Sequence, residues 1–338
     1  MQIMIDEARL KAVAELLKKK PPSTEPLNFY SMKTSDGKEI VLSDMYPAIG
    51  HPRTLDYFFL GVLQDYGFWL DHHDGYKSPF YATLTTHGKP HKGSDALWKC
   101  LKKAFDRDPD AFTPERLAEM KIEDFSELFA SELGPVAFPR MEERFKLARK
   151  YAQFLLYWHT SPEIIVEDAE CVRINLKDAS ALYFFLEHMK AIPGFGQDPL
   201  MKKAQLLAMA LANRPEKFLD ISPRDTNWKP MLDYHLMRVA LRLGIVVVDG
   251  GAEFWLWKRK WVKPEIEAEI REMCFTAIRR IRELSGVTND KIDIVFWMAR
   301  KYCPEMTEPE CGKCHFEPVC GKHTELFQPV GLPRTNYY

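Results

Sequence analysis

Residues 192–204 read Ile-Pro-Gly-Phe-Gly-Gln-Asp-Pro-Leu-Met-Lys-Lys-Ala. Two glycines one residue apart, behind a proline, predict a tight turn between two helices. Without a Cβ, Gly194 and Gly196 can take conformations closed to other residues, and their amides can approach a phosphate. A plain Pro-Gly loop between helices is the bland reading of the same residues.

Working outward, helical spacing dominates. Residues 6–19 (DEARLKAVAELLKK) put apolar side chains on one face, and Pro21-Pro22 end the segment. Helices are predicted over 53–70, 94–106, 140–158 and 264–285. Another starts at Thr113-Pro114-Glu115, with Thr113 as cap and proline in the first turn. Strand expectations are few: 39–43, 171–176, and the pair 245–248 and 253–257 joined through Asp249-Gly250-Gly251. The fold class is mainly α with minor β hairpins.

The 338 residues are 46% hydrophobic and 28% charged, with a formal net charge of −1. No global basic field draws in a polyanion, which counts against duplex DNA unless a local patch exists. No apolar run is long enough for a membrane span, and the N-terminus lacks the shape of a signal peptide. The expectation is a cytoplasmic monomer with no membrane partner.

Seven cysteines divide unevenly. Cys100, Cys171 and Cys274 are scattered and are expected to be buried core thiols. The other four form Cys303-x7-Cys311-x2-Cys314-x5-Cys320. Soft thiolates in a reducing compartment suit iron–sulfur clusters or zinc. Zinc sites usually pair two short knuckles. A single Cys-x-x-Cys between two longer loops suits a [4Fe–4S] cubane, whose irons need ligands at separated corners. Zinc is the alternative, with His315 or His323 able to replace one cysteine.

The cysteine segment, with the lead-in Phe296-Trp297-Met298-Ala299-Arg300, resembles the cluster loop of the endonuclease III branch of helix-hairpin-helix DNA glycosylases, with one extra residue in the first spacing. Ile192–Gly196 resembles that family's hairpin, though Gln197-Asp198-Pro199 intervene before the lysines. Leu232-Asp233-Tyr234-His235-Leu236-Met237-Arg238-Val239 resembles its Asp-x-His-x-x-Arg-Val segment. The resemblance implies a single glycosylase-like unit of two helical lobes over 1–338. The hairpin and catalytic helix would fall in 192–240, and a [4Fe–4S] loop without catalytic duty in 303–320. It implies Asp233 as the catalytic carboxylate and Lys202 or Lys203 in the place of the family's lysine. An aspartate at a helix start is also an ordinary N-cap.

A second resemblance covers the chain more evenly. Tyr66-Gly67-Phe68-Trp69, the 94–106 helix with Thr113–Leu117, Met141-Glu142-Glu143-Arg144, Lys202-Lys203-Ala204-Gln205, Asp233-Tyr234 and Tyr337-Tyr338 resemble, in order, segments of queuosine salvage nucleosidases. Those enzymes release queuine from its nucleoside or nucleoside 5′-phosphate. The relatives in view lack the cluster loop, and Tyr66-Gly67 replaces their Asn-Phe.

The resemblance implies a small nucleoside or nucleotide substrate. Asp233 would stabilise an oxocarbenium-like state and Lys202 would face a 5′-phosphate or the sugar. Phe68 and Trp69 would stack on the base, with Lys203, Tyr234 and His235 also in the binding site. The alternative is a DNA base-excision glycosylase and lyase using Lys202 and Asp233. A third reading keeps the fold as a nucleic-acid-binding module without chemistry.

Overall fold

Apolar residues at helical spacing account for most of the secondary structure in the computed structural model. It describes residues 2–22, 27–33, 36–71, 75–175, 179–258, 260–324 and 335–338. The chain is mainly helical and divides into two units: Met1–Pro26 with Asp71–Ser78 and Trp228–Thr335, and Leu27–Leu70 with Pro79–Asn227 and Asn336–Tyr338.

In the first unit Asp6 caps the helix Glu7–Lys19 by accepting from the Arg9 amide at 2.9 Å. Leu10, Val13, Ala14 and Leu17 form its buried stripe, packed on the helix Pro264–Ser285. That helix answers with Ile270, Cys274, Ile278 and Ile281, all fully buried. Each large aliphatic side chain here contributes about 1.5–3 kcal/mol on burial. The strand Gln2–Ile5 pairs antiparallel with Val246–Asp249, Gln2 facing Asp249 and Ile5 facing Val246. The helices Tyr234–Leu243 and Asn289–Ala299 complete this unit's core.

The second unit is organised on the helix Thr54–Leu63, every residue of which is buried. Gly61 lets it approach Trp98: a Cβ there would lie 2.2 Å from the indole. Tyr46, Tyr57, Phe58, Trp98 and Phe105 interlock around it at ring spacings of 5.0 to 5.9 Å, contacts that add to area burial. The helix Lys202–Asn213 packs against Thr54–Leu63.

The mainly helical expectation stands, as do the helices near 6–19, 94–106, 140–158 and 264–285 and the strand at 39–41. Four expectations are corrected. Residues 171–175 close the helix Pro162–Asn175, while 176 lies outside the described residues. The helical stripe of Ile165, Val166 and Ala169 overrides the β preference of Val172 and Ile174. Residues 253–257 belong to the helix Ala252–Trp257, because the 246–249 strand takes its partner from the N-terminus. The 53–70 helix stops at Leu63, and the chain runs through 64–68 into the strand Trp69–Asp71. Cys100 and Cys274 are buried as expected, but Cys171 is exposed. Among the described residues no helix is long and apolar enough to cross a membrane.

Candidate functional site

The second unit gathers several cations around one loop. Asp198, in the three residues that separate the glycines from the lysines, builds the start of the Lys202–Asn213 helix. Its Oδ2 accepts from the Lys202 amide at 2.9 Å and its Oδ1 from the Leu200 amide at 3.0 Å. Lys202 and Lys203 therefore emerge from one buried helix turn and point to different partners. Lys202 Nζ lies 3.4 Å from Asp65 Oδ2. Lys203 Nζ donates to the Leu63 carbonyl at 2.8 Å and sits 4.2 Å from the centre of the Tyr66 ring. Burial first, then the charges of Lys202 and Arg144, hold the Lys203 amine well below the usual lysine range.

Arg144 is fully buried beneath the same loop. It donates to the carbonyls of Gln64, Tyr66 and Pro139 and lies 4.5 Å from the Tyr66 ring centre and 5.3 Å from that of Phe68. Gly67 closes the loop with φ of +67°, and its amide donates to the Tyr338 carbonyl at 3.4 Å. Phe68 and Trp69 are buried, 6% and 8% exposed. Three buried polar atoms here, Gln64 Oε1, Asp65 Oδ1 and the Tyr66 hydroxyl, have no hydrogen-bond partner among the described residues. Such groups are costly unless a ligand or water meets them.

The glycines of 192–196 serve packing. A Cβ on Gly194 would lie 2.3 Å from Leu63, and one on Gly196 would lie 1.8 Å from the Lys190 carbonyl. Their amides are taken within the turn: Gly194 by the Gln197 side chain, Phe195 and Gly196 by the Ile192 carbonyl, the last two at 3.1 Å.

The first unit carries the other candidates. Asp233 caps the helix Tyr234–Leu243, its Oδ1 accepting from the Leu236 amide at 2.9 Å. Two residues on, His235 Nδ1 lies 3.3 Å from Glu305 and 3.1 Å from Arg238 Nη2. The Tyr234 ring is tilted against His235 at 4.2 Å, and burial pushes its hydroxyl up. Arg238 also donates to the Cys303 carbonyl at 3.2 Å. Arg242 donates to the Pro304 carbonyl at 2.8 Å and to Cys303 Sγ at 3.1 Å. The cysteine segment also seals the far end of this helix. Gly321 and His323 amides donate to the Leu243 and Arg242 carbonyls at 2.9 and 3.1 Å, meeting acceptors that a helix leaves unpaired at its C-terminus.

Among the described residues no group of three or more His, Cys, Asp or Glu is gathered so that it could hold a metal ion. The donor chemistry of the four clustered cysteines nevertheless suits a multi-iron cluster. All four are half-buried. Burial first, and then the charges of the other cysteines, push Cys314 up to about 11 and raise Cys320. The Phe316 and Lys322 amides and the Arg242 guanidinium donate to sulfurs of Cys314, Cys320 and Cys303. N–H···S donors and a buried cation are what an anionic thiolate cluster requires.

Residues 45–211 match the family model of the queuosine salvage protein. No curated protein matches the chain. The queuosine salvage match contains the 64–69 loop, Arg144, Asp198 and both lysines, and it ends before Asp233 and the four cysteines. Sequence reasoning passed over Asp65 and Asp198, and used Arg144 only as part of a matching tetrapeptide. Their roles depend on contacts between residues far apart in sequence, apart from Asp198, whose Asp-Pro placement just before a helix is itself a capping signal.

Proposed function

We propose that this protein is an N-glycosidase that releases a queuine-like modified base from a nucleoside 5′-phosphate or nucleoside. Support comes chiefly from the set of buried polar groups at Asp65, Tyr66 and Lys202, which lies inside the stretch matching the queuosine salvage family. In the proposed reaction the C1′–N bond breaks and its electron pair leaves with the base, which takes up a proton. Water adds to C1′ and loses a proton, giving free base and the ribose or its 5′-phosphate. Asp233 stabilises the positive charge that builds on the sugar and orients or deprotonates the water. Lys202 takes the 5′-phosphate, since its recorded partner Asp65 lies at a loose 3.4 Å. Lys203 keeps a structural role beneath Tyr66. His235 and Tyr234 support the helix that carries Asp233.

Release of free base from a panel of modified nucleosides and their 5′-phosphates tests the reading; no release from any of them would overturn it. Lys202→Ala is expected to raise KM for the 5′-phosphate roughly 10–100-fold, the loss of a charge-assisted contact. KM for the parent nucleoside should barely move, and an equal rise for both would remove the phosphate assignment. The helix-hairpin-helix DNA glycosylase reading gains less support, because the hairpin amides that would grip a phosphate already have intrachain partners.

Cys303, Cys311, Cys314 and Cys320 are assigned as ligands of a [4Fe–4S] cluster that fixes the C-terminal loop and takes no part in the chemistry. Anaerobically purified protein should be brown, with iron and sulfide in equal amount, and Cys314→Ala should lose both. A colourless protein carrying one zinc per chain would show that the alternative metal is correct.

A further inference from the structure

A second carboxylate stands behind Asp233. Asp293, on the helix Asn289–Ala299, is only 6% exposed, and both its oxygens lie 3.3 Å from the Met231 amide, two residues before Asp233. The next carbonyl, that of Leu232, accepts from Arg271 Nη2 on the helix Pro264–Ser285 at 3.4 Å. The backbone that delivers Asp233 is thus held from two neighbouring helices, by an acceptor on one side and a donor on the other. Residues before a helix N-cap have no ladder of their own. An anchored approach fixes where the capping side chain points, and a displacement of an ångström at a reacting group is enough to cost a hundred-fold in rate.

We propose that Asp293 is a positioning residue for Asp233, anchoring the 231–233 backbone so that the Asp233 carboxylate stays directed at the sugar. The proposal rests on the N-glycosidase reading. The groups that face Asp293 are the Met231 amide, Asp233 at the start of its helix, and Asp290 on Asp293's own helix. Burial is the chief influence and pushes the Asp293 carboxyl well above the usual range. The Met231 hydrogen bond opposes this, and the charges of Asp233 and Asp290 add to it. An ionised Asp293 would place a second negative charge near Asp233 and raise the proton affinity of the carboxylate the reaction needs ionised.

Asparagine is the neutral isostere of such a carboxyl, and leucine keeps its volume without the acceptor. Asp293→Asn is expected to hold kcat within about two-fold of the parent, with an unchanged pH profile, while Asp293→Leu loses at least about ten-fold in kcat with little change in KM. Loss of activity in the Asn variant to the level of the Leu variant would show that the carboxyl's own proton is needed, and full activity in the Leu variant would show that no anchor is; either overturns the proposal. Hydrogen exchange over residues 229–236 supplies a readout that needs no turnover. Exchange there should quicken in the Leu variant and not in the Asn variant. If the parent releases no base, the N-glycosidase reading fails while the exchange result still decides whether Asp293 anchors this backbone.

Discussion

Asp233→Asn is expected to leave a folded, helix-capped protein whose proposed base release is roughly a thousand-fold slower than the parent's, a loss of about 4 kcal/mol in transition-state stabilisation. Two roles coincide in this side chain. As an N-cap it accepts from the Leu236 amide at 2.9 Å, and asparagine caps as well as aspartate. As a carboxylate it would, in the proposed reaction, supply the negative charge that a developing oxocarbenium ion requires, and asparagine supplies none. The substitution therefore separates the two. Thermal midpoint and any visible absorption should stay at parental values while kcat falls. Asp233→Ala removes the cap too and should cost about 1 kcal/mol of stability on top of the same loss of rate. Near-parental turnover in the Asn variant would assign Asp233 to capping alone and send the search for the catalytic carboxylate elsewhere.

The sequence made the helices legible where a stripe of apolar residues had room to repeat, as in 6–19 and 264–285. It failed where a partner distant in sequence decided the outcome. The 246–249 strand pairs with Gln2–Ile5 rather than with 253–257, a choice no local pattern carries. The candidate site shows the same division. Asp233, the lysine pair and the four cysteines stand in recognisable local strings. What separates the two lysines does not, since it depends on the Leu63 carbonyl and the Tyr66 ring capturing Lys203 from about 140 residues away. The same applies to Asp293. Nothing in Asn-Asp-Lys-Ile-Asp-Ile marks the second aspartate as the one that meets the Met231 amide. The Gly-x-Gly string was legible as a turn, but not that Gln197 closes back on the Gly194 amide.

The second large effect falls on stability. Arg144→Met should cost about 3–5 kcal/mol and lower the urea midpoint accordingly. The guanidinium is fully buried and donates to backbone carbonyls: Pro139 at 2.9 Å, with Gln64 and Tyr66 on the loop it supports. Burial draws it down to about 10, so it is still charged at neutral pH. Methionine fills much of the volume but leaves three carbonyls without this donor, each worth about 1–3 kcal/mol when buried and unmet, less what relaxation recovers. The Tyr66 and Phe68 rings also lose the cation beside them. Lysine should rescue little, because one ammonium cannot span the three carbonyls that the guanidinium fork reaches. A functional consequence follows from the same geometry. The 64–67 loop carries Asp65 and Tyr66, so partial folding with a loosened loop should raise KM before it lowers kcat. A methionine variant within about 1 kcal/mol of the parent, with KM unchanged, would mean that the loop holds its shape without Arg144.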